Sequence, residues 1–183
     1  MSRRDEIIEA AYAHVLTHGL TGASLRPVAE AVGSSTGVLR FLFESKDGLV
    51  AALLDQARQD ELELLAALPE DGDLDAVAGA VWDWLAKPAR RPLLRLWTES
   101  YAASLQDGAG PWADFAARTV ADWLAVLARS QPPELRRTAA GRAQRTAVLA
   151  LLRGAMLDLL ATADRVRTTH AVRSALAALT ASP

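Results

Sequence analysis

The stretch from Ser24 to Leu42, Ser-Leu-Arg-Pro-Val-Ala-Glu-Ala-Val-Gly-Ser-Ser-Thr-Gly-Val-Leu-Arg-Phe-Leu, constrains the fold more than any other part of the chain. It reads as two short helices joined by a tight turn. With Leu25 as the first helical position, Val28 and Val32 share a face of the first helix, and Leu39 and Leu42 share a face of the second. Ala29 stands where the two helices come closest, and a larger side chain there would push them apart. Gly33 stands at the turn, where positive φ meets no Cβ clash. Small, glycine and apolar residues thus fall where a helix-turn-helix needs them. The pattern implies a chain that reads DNA, its second helix, about Ser35 to Phe41, entering the major groove.

The rest of the composition sets limits. The chain has 183 residues, 51% of them apolar, so a core is easily built. It has no cysteine, which excludes disulfides, thiolate zinc sites and cysteine nucleophiles. The start, Met-Ser-Arg-Arg-Asp-Glu, turns amphipathic rather than apolar and does not read as a secretory signal. No apolar run reaches the roughly 18 residues of a membrane span, so a cytoplasmic location is the expectation. Charge argues less clearly. The formal net charge is -2, whereas a DNA binder is expected to carry a basic footprint. Up to residue 48, Arg3, Arg4, Arg26, Arg40 and Lys46 face Asp5, Glu6, Glu9, Glu30, Glu44 and Asp47. Only placement favours DNA: Arg26, Arg40 and Lys46 lie in or beside the motif.

In chain order, the periodicity predicts an all-α protein of about nine helices. The first runs from about Arg3 to Thr17, with Ser2 and Asp5 in capping-box positions, Ile8, Ala11 and Val15 at helical spacing, and Gly19 at its end with Leu20 packing back. His14 and His18 stand four apart, but no further ligand accompanies them, so no metal site is expected. After the turn Thr21-Gly-Ala, Ser24 is an N-cap candidate, and Ser34 or Ser35 is one for the second motif helix. Ser45 is placed to cap a long helix from Asp47 to about Leu68, and Asp73 one from Leu74 to Ala86. Further helices are expected at about Arg90 to Leu105, Pro111 to Ser130, Glu134 to Thr162 and Arg165 to Ala181, the last capped by Asp164. No strand-like alternation and no repeat is visible.

Ile7-Ile8-Glu-Ala-Ala, Gly19-Leu20, Ser24, Val28-Ala29, Gly33, Ser35, Gly37, Leu39, Phe43 and Ser45-Lys46-Asp47 together resemble the DNA-binding domain of the TetR family of bacterial transcription regulators. The resemblance runs without a gap from Ile7 to Val50. Beyond it, only the layout and the segment Leu151 to Leu160 are similar. It implies a helix-turn-helix domain over 1–46 and a ligand-binding and dimerisation domain over 47–183. It implies a homodimer formed through the last two helices, binding a near-palindromic operator in double-stranded DNA and released by a small-molecule effector, most often as a repressor. The DNA contacts so implied are Ser24, Arg26, Ser35, Thr36, Val38, Arg40, Phe41 and Lys46. Four positions depart from the family pattern: Arg40 and Leu42 stand where aromatics are common, Phe41 where histidine often is, and Ser34 where an apolar residue is usual. Ala139, Ala140, Ala143, Ala147, Ala150 and Gly154 give the penultimate helix a small-residue face suited to close approach, and the last helix offers Val166, Val172, Leu176 and Leu179.

All five tryptophans follow residue 80. Trp82, Trp97, Tyr101, Trp112, Phe115 and Trp123, with Met156, are the candidate walls of a pocket for an apolar or planar effector, against the plainer reading that each is core. Glu99, Arg95, Asp158 or Arg153 would supply a polar contact. No cofactor is expected. An enzyme is disfavoured, because His14, His18 and His170 are dispersed and no phosphate loop or nucleophile motif appears. A helical interaction module without DNA binding is the remaining alternative, supported by the acidic balance and by Arg40-Phe41-Leu42.

Overall fold

The computed structural model describes residues 2–19, 24–66, 68, 72–106 and 110–181. These residues form ten α-helices, with no strand among them. The helices are α1 (Arg3–His18), α2 (Leu25–Ala31), α3 (Thr36–Phe43), α4 (Lys46–Ala66), α5 (Leu74–Leu85), α6 (Arg91–Gln106), α7 (Phe115–Arg129), α8 (Pro133–Arg136), α9 (Ala139–Thr162) and α10 (Arg165–Thr180). Short 3-10 turns at Pro88–Arg90 and Gly110–Trp112 precede α6 and α7. Leu20 and the turn Thr21–Ala23 lie outside the described residues.

Most helix starts follow their sequence signals. Ser2 and Asp5 form the reciprocal capping box, Asp5 N–H to Ser2 Oγ at 3.2 Å and Ser2 N–H to Asp5 Oδ2 at 2.8 Å. The hydroxyl of Ser35 accepts from Val38 N–H, and that of Ser45 from Gly48 N–H. Asp73 and Asp164 accept from Ala76 N–H and Arg167 N–H. Ser24 differs. It holds the N-cap position of α2 with extended backbone, but its side chain makes no cap bond. A cap hydroxyl looks for the N–H two or three residues on, and the third is Pro27, which has none.

Two expected helices are cut differently. The helix expected from Glu134 to Thr162 is two, which raises the number from about nine to ten. Thr138 interrupts it with an extended ψ of 160°, donating to Leu135 O and accepting from Gly141 N–H, both at 2.9 Å. The helix expected to open at Pro111 opens at Phe115, after the 3-10 turn and after Asp114 at φ +60°. Its early N–H at Ala116 is satisfied from another helix, by Ser104 Oγ on α6 at 3.1 Å.

The chain forms two compact units, residues 1–62 with 95–117 and residues 63–94 with 118–183. In the first, α1 buries Ile7, Ala11, Tyr12 and Val15, α2 Val28 and Ala29, and α3 Leu39 and Phe43. The α4 helix buries Leu49, Val50, Leu53, Leu54 and Ala57. Phe115 packs with Val50 and Leu54, and Trp112 lies half-buried against them. The Trp97 indole N–H donates to Ala57 O at 3.4 Å. In the second unit, α10 packs on α9 and α5, α5 also meets α9, and α8 meets α9. The Trp82 indole, fully buried, donates to Thr169 Oγ1 at 3.1 Å, and Arg173 Nη2 lies 2.7 Å from each Asp83 oxygen. The buried Gln131 side chain donates to Gly141 O and Gln144 Oε1, which ties the segment between α7 and α8 to α9.

Candidate functional site

The helix-turn-helix forms where the residue pattern places it, but Val32 and Leu42, expected on the inner faces, are only half-buried, and Phe43 is buried instead. Val28 and Ala29 are buried at 0% and 3% exposure, and Leu39 and Phe43 at 0% and 5%. Gly33 turns the chain at φ +62°, a region that other residues enter only at a cost of about 1–2 kcal/mol. Ser34 N–H then donates to Ala29 O at 2.9 Å and closes the turn. At its far end α3 is held by Arg4 of α1, whose guanidinium lies 5.3 Å from the centre of the Phe43 ring.

This inward set fixes what α3 turns outward. Thr36, Gly37, Val38, Arg40 and Phe41 are all exposed, and Leu42 is half-buried. Ser24, Arg26, Ser35 and Lys46 are exposed too, so the solvent-facing side of the motif includes every residue expected to touch DNA. Arg26 is engaged by Glu30 one turn along, Nε to Oε1 at 3.1 Å. Both side chains are exposed, and such a pair contributes only about 0.3–0.5 kcal/mol, less than a phosphate contact would offer the same guanidinium. Neither Arg40 nor Lys46 has an ion-pair partner among the described residues.

The candidate effector residues are distributed over both units. Trp97 and Tyr101 are half-buried on α6, Trp112 is half-buried in the 3-10 turn and Phe115 is buried, all in the first unit. Trp82 and Trp123 are buried and Met156 half-buried in the second. Trp112 and Phe115 are brought together on the Val50 and Leu54 face of α4. The second unit also has an open cleft of about 560 Å³ lined by Leu65, Ala66, Leu68, Val77, Val126, Arg129, Ser130 and Arg136. None of the aromatic candidates lines it. Its one sequence signal was the pair Arg129 and Arg136 on either side of Pro132-Pro133.

Other candidates have simpler surroundings. The His14 and His18 rings stack with centroids 4.2 Å apart, and His18 Nδ1 lies 2.9 Å from His14 O. Among the described residues no group of three or more metal-ligating side chains occurs, and no helix is long and apolar enough to cross a membrane. On α10, Val172 and Leu176 are buried inside the unit, while Val166 is 84% exposed. On α9, Ala143, Ala150, Gly154 and Leu157 are exposed at helical spacing.

No protein-family model matches the chain. The transcriptional repressor AcnR of Corynebacterium diphtheriae is 35% identical over 92 residues, half of this chain and 45% of that protein. AcnR of Corynebacterium glutamicum is 32% identical over 88 residues, 45% of each. The chain thus spans less than half the length of the curated relatives it matches. A TetR-family member from Streptomyces coelicolor A3 superposes over the full length of both chains, with a TM-score of 0.74 and 28% identity. The multidrug binding protein EbrR, in complex with imidazole, superposes over 99% of this chain and 91% of its own, with a TM-score of 0.73 and 28% identity. The chain is thus similar in sequence to the AcnR repressors over about half its length, and similar in fold to a TetR-family member over all of it.

Proposed function

We propose that the chain is a ligand-responsive transcription regulator, a repressor that binds a near-palindromic operator as a homodimer and leaves it when a small apolar or aromatic effector binds. The observation that carries this reading is the division of α3 into an inward face, Leu39 and Phe43, and an exposed face that includes Thr36, Val38, Arg40 and Phe41. Ser35 and Lys46 flank that face, and Ser24 and Arg26 stand at the start of α2, where contacts to phosphate position the reading helix. The AcnR relatives are repressors by name, which supports the sign of the regulation.

One helix-turn-helix makes too small an interface for specific binding. The homodimer supplies the second, through α9 and α10, whose outer faces expose Leu157 and Val166 among alanines and Gly154. Apolar side chains left on a surface favour a partner. Two reading helices in successive major grooves then stand about 34–36 Å apart, or a multiple of that. An effector that prefers another spacing lowers operator affinity by its differential affinity for the two states.

For the effector, Trp97, Tyr101, Trp112 and Phe115 carry the reading, because they lie in the same compact unit as the helix-turn-helix. Glu99 on α6 is their polar neighbour in sequence. EbrR has been seen with proflavin and with ethidium, both flat aromatic cations, which makes these two the probes of choice. Trp82, Trp123 and Met156 belong to the second unit and are separate aromatic and thioether candidates within it.

The test is a gel shift of the full chain on DNA flanking its own gene at low salt. A shifted band lost on adding proflavin, with quenched tryptophan fluorescence, is the expected result. No shift with any genomic fragment would overturn the regulator reading. It would favour the helical interaction module, for which the -2 charge and the exposed Phe41 speak.

A further inference from the structure

The outward face of α3 is apolar at its centre. At about 100° per residue, Phe41 points opposite to the midpoint of the buried Leu39 and Phe43, and it is 86% exposed. Val38, one turn back on the same side, is 40% exposed. The third residue of this face is Gly37. A Cβ built there meets only Ser35 Oγ, at 3.6 Å, so the protein interior does not require a glycine at that position. The bare backbone beside Phe41 lets the helix seat closely. Arg40 and Thr36 lie to one flank of this centre.

A phenyl ring and a valine cannot hydrogen-bond to base edges. Pressed against the donors and acceptors of guanine, cytosine or adenine, they would bury polar groups without partners, at about 1–3 kcal/mol each. The one apolar group that the major groove presents is the 5-methyl of thymine. We infer that Phe41 and Val38 read thymine methyl groups, so that each operator half-site places one or two thymines under the centre of α3 and sequence preference comes from apolar contact there. This rests on the DNA-reading function proposed above.

The test separates the two. Full-length protein selects duplexes from a random-sequence library, and the best duplex is resynthesised with deoxyuridine replacing one thymine at a time. Affinity is measured by fluorescence anisotropy at fixed salt. Deoxyuridine keeps every hydrogen-bonding group and removes only the methyl. The expected result is one or two thymines per half-site whose replacement weakens binding about fourfold, the cost of one methyl-sized apolar contact. With Phe41→Ala or Val38→Ala, verified as folded by circular dichroism, the same replacements should have no effect. Unchanged affinity at every deoxyuridine position overturns the inference while leaving the regulator reading intact. So does a methyl effect that persists in both variants. A library that yields no enriched sequence overturns the inference together with the function on which it rests.

Discussion

The hydroxyl of Tyr12 on α1 donates to Asp60 Oδ2 on α4 at 2.8 Å, and Gln56 donates to the other carboxylate oxygen at 3.4 Å. Tyr12 is 8% exposed, so this bond to a charged acceptor is largely shielded from water. Tyr12→Phe should lower unfolding free energy by about 1.5–3 kcal/mol. It should also weaken operator binding, since α1 carries the Arg4 contact that holds α3. Urea denaturation and anisotropy titration check the two effects, and an unchanged urea midpoint would show that the bond contributes nothing.

The same bond has a pH signature. Burial first, then the bond to Asp60 and its charge, push the Tyr12 phenol far above its ordinary pKa. In the unfolded chain the phenol ionises near pH 10 (about the reference value), while in the folded chain it stays protonated. Above that pH the unfolded state holds fewer protons than the native one, so stability falls as pH rises. The contribution is fully present below about pH 10 and is lost progressively above it. The difference in stability between the parent and Tyr12→Phe should therefore shrink as pH rises above about 10, the reference value of the free phenol. A difference independent of pH would contradict this.

Arg40 stands on the flank of the reading face, about 100° from Phe41, where a phosphate is the nearest charged group to an inserted helix. Arg40→Ala should weaken binding to all sequences alike and reduce the slope of log affinity against log salt by about one. A loss confined to operators with one particular base pair would instead assign Arg40 to a guanine edge.

Gly154 is exposed on α9, and nothing stands within 4 Å of a Cβ built there. Gly154→Trp should leave the helical circular dichroism unchanged and convert a dimer into a monomer in light scattering. Operator affinity should fall with it. A variant that stays dimeric would remove this face of α9 from the interface.

Helix α9 ends at Ala163 in the left-handed region, φ +57° and ψ +10°, with its N–H bonded to Leu159 O. A residue with a Cβ is strained there, and glycine is the usual occupant. Ala163→Gly should stabilise the protein by about 1 kcal/mol, which for a chain of this size raises Tm by roughly 2–4 °C. Differential scanning calorimetry reads the shift, and a lowered Tm would contradict the strain argument.

What the sequence made legible was local. The caps at Ser2, Ser35, Ser45, Asp73 and Asp164 depend on a side chain and an N–H three residues away, and all five form. Ser24 takes the N-cap position as its residue type predicts, but without the side-chain bond, since Pro27 has no N–H to offer. The true start of α7 rests on Ser104, twelve residues earlier, and no window along the chain reveals that bond. Thr138 caps α9 from within a stretch whose helical periodicity runs on unbroken, so the apolar pattern does not reveal the break. On α3 the spacing paired Leu39 with Leu42, but Phe43 is the buried partner of Leu39 and Leu42 is half-buried, because the last turn of the helix faces α1 and its Arg4. The exposure of Val166 against the burial of Val172 and Leu176 was not readable from spacing either, because α10 is apolar on more than one side. Aromatic spacing likewise does not separate core from pocket, and Trp82 and Trp97 differ in burial although both stand on helices rich in apolar residues.

The compact unit that holds the helix-turn-helix is assembled from two stretches far apart in the chain, 1–62 and 95–117. Phe115, Trp112 and Trp97 in the second stretch cover Val50, Leu54 and Ala57 in the first. A fragment cut after α4 would leave that apolar side of α4 wet, at about 25 cal/mol for each Å² uncovered. The reading head is therefore no portable module. Truncation after α4 would remove part of the core around the helix-turn-helix and not a separate body.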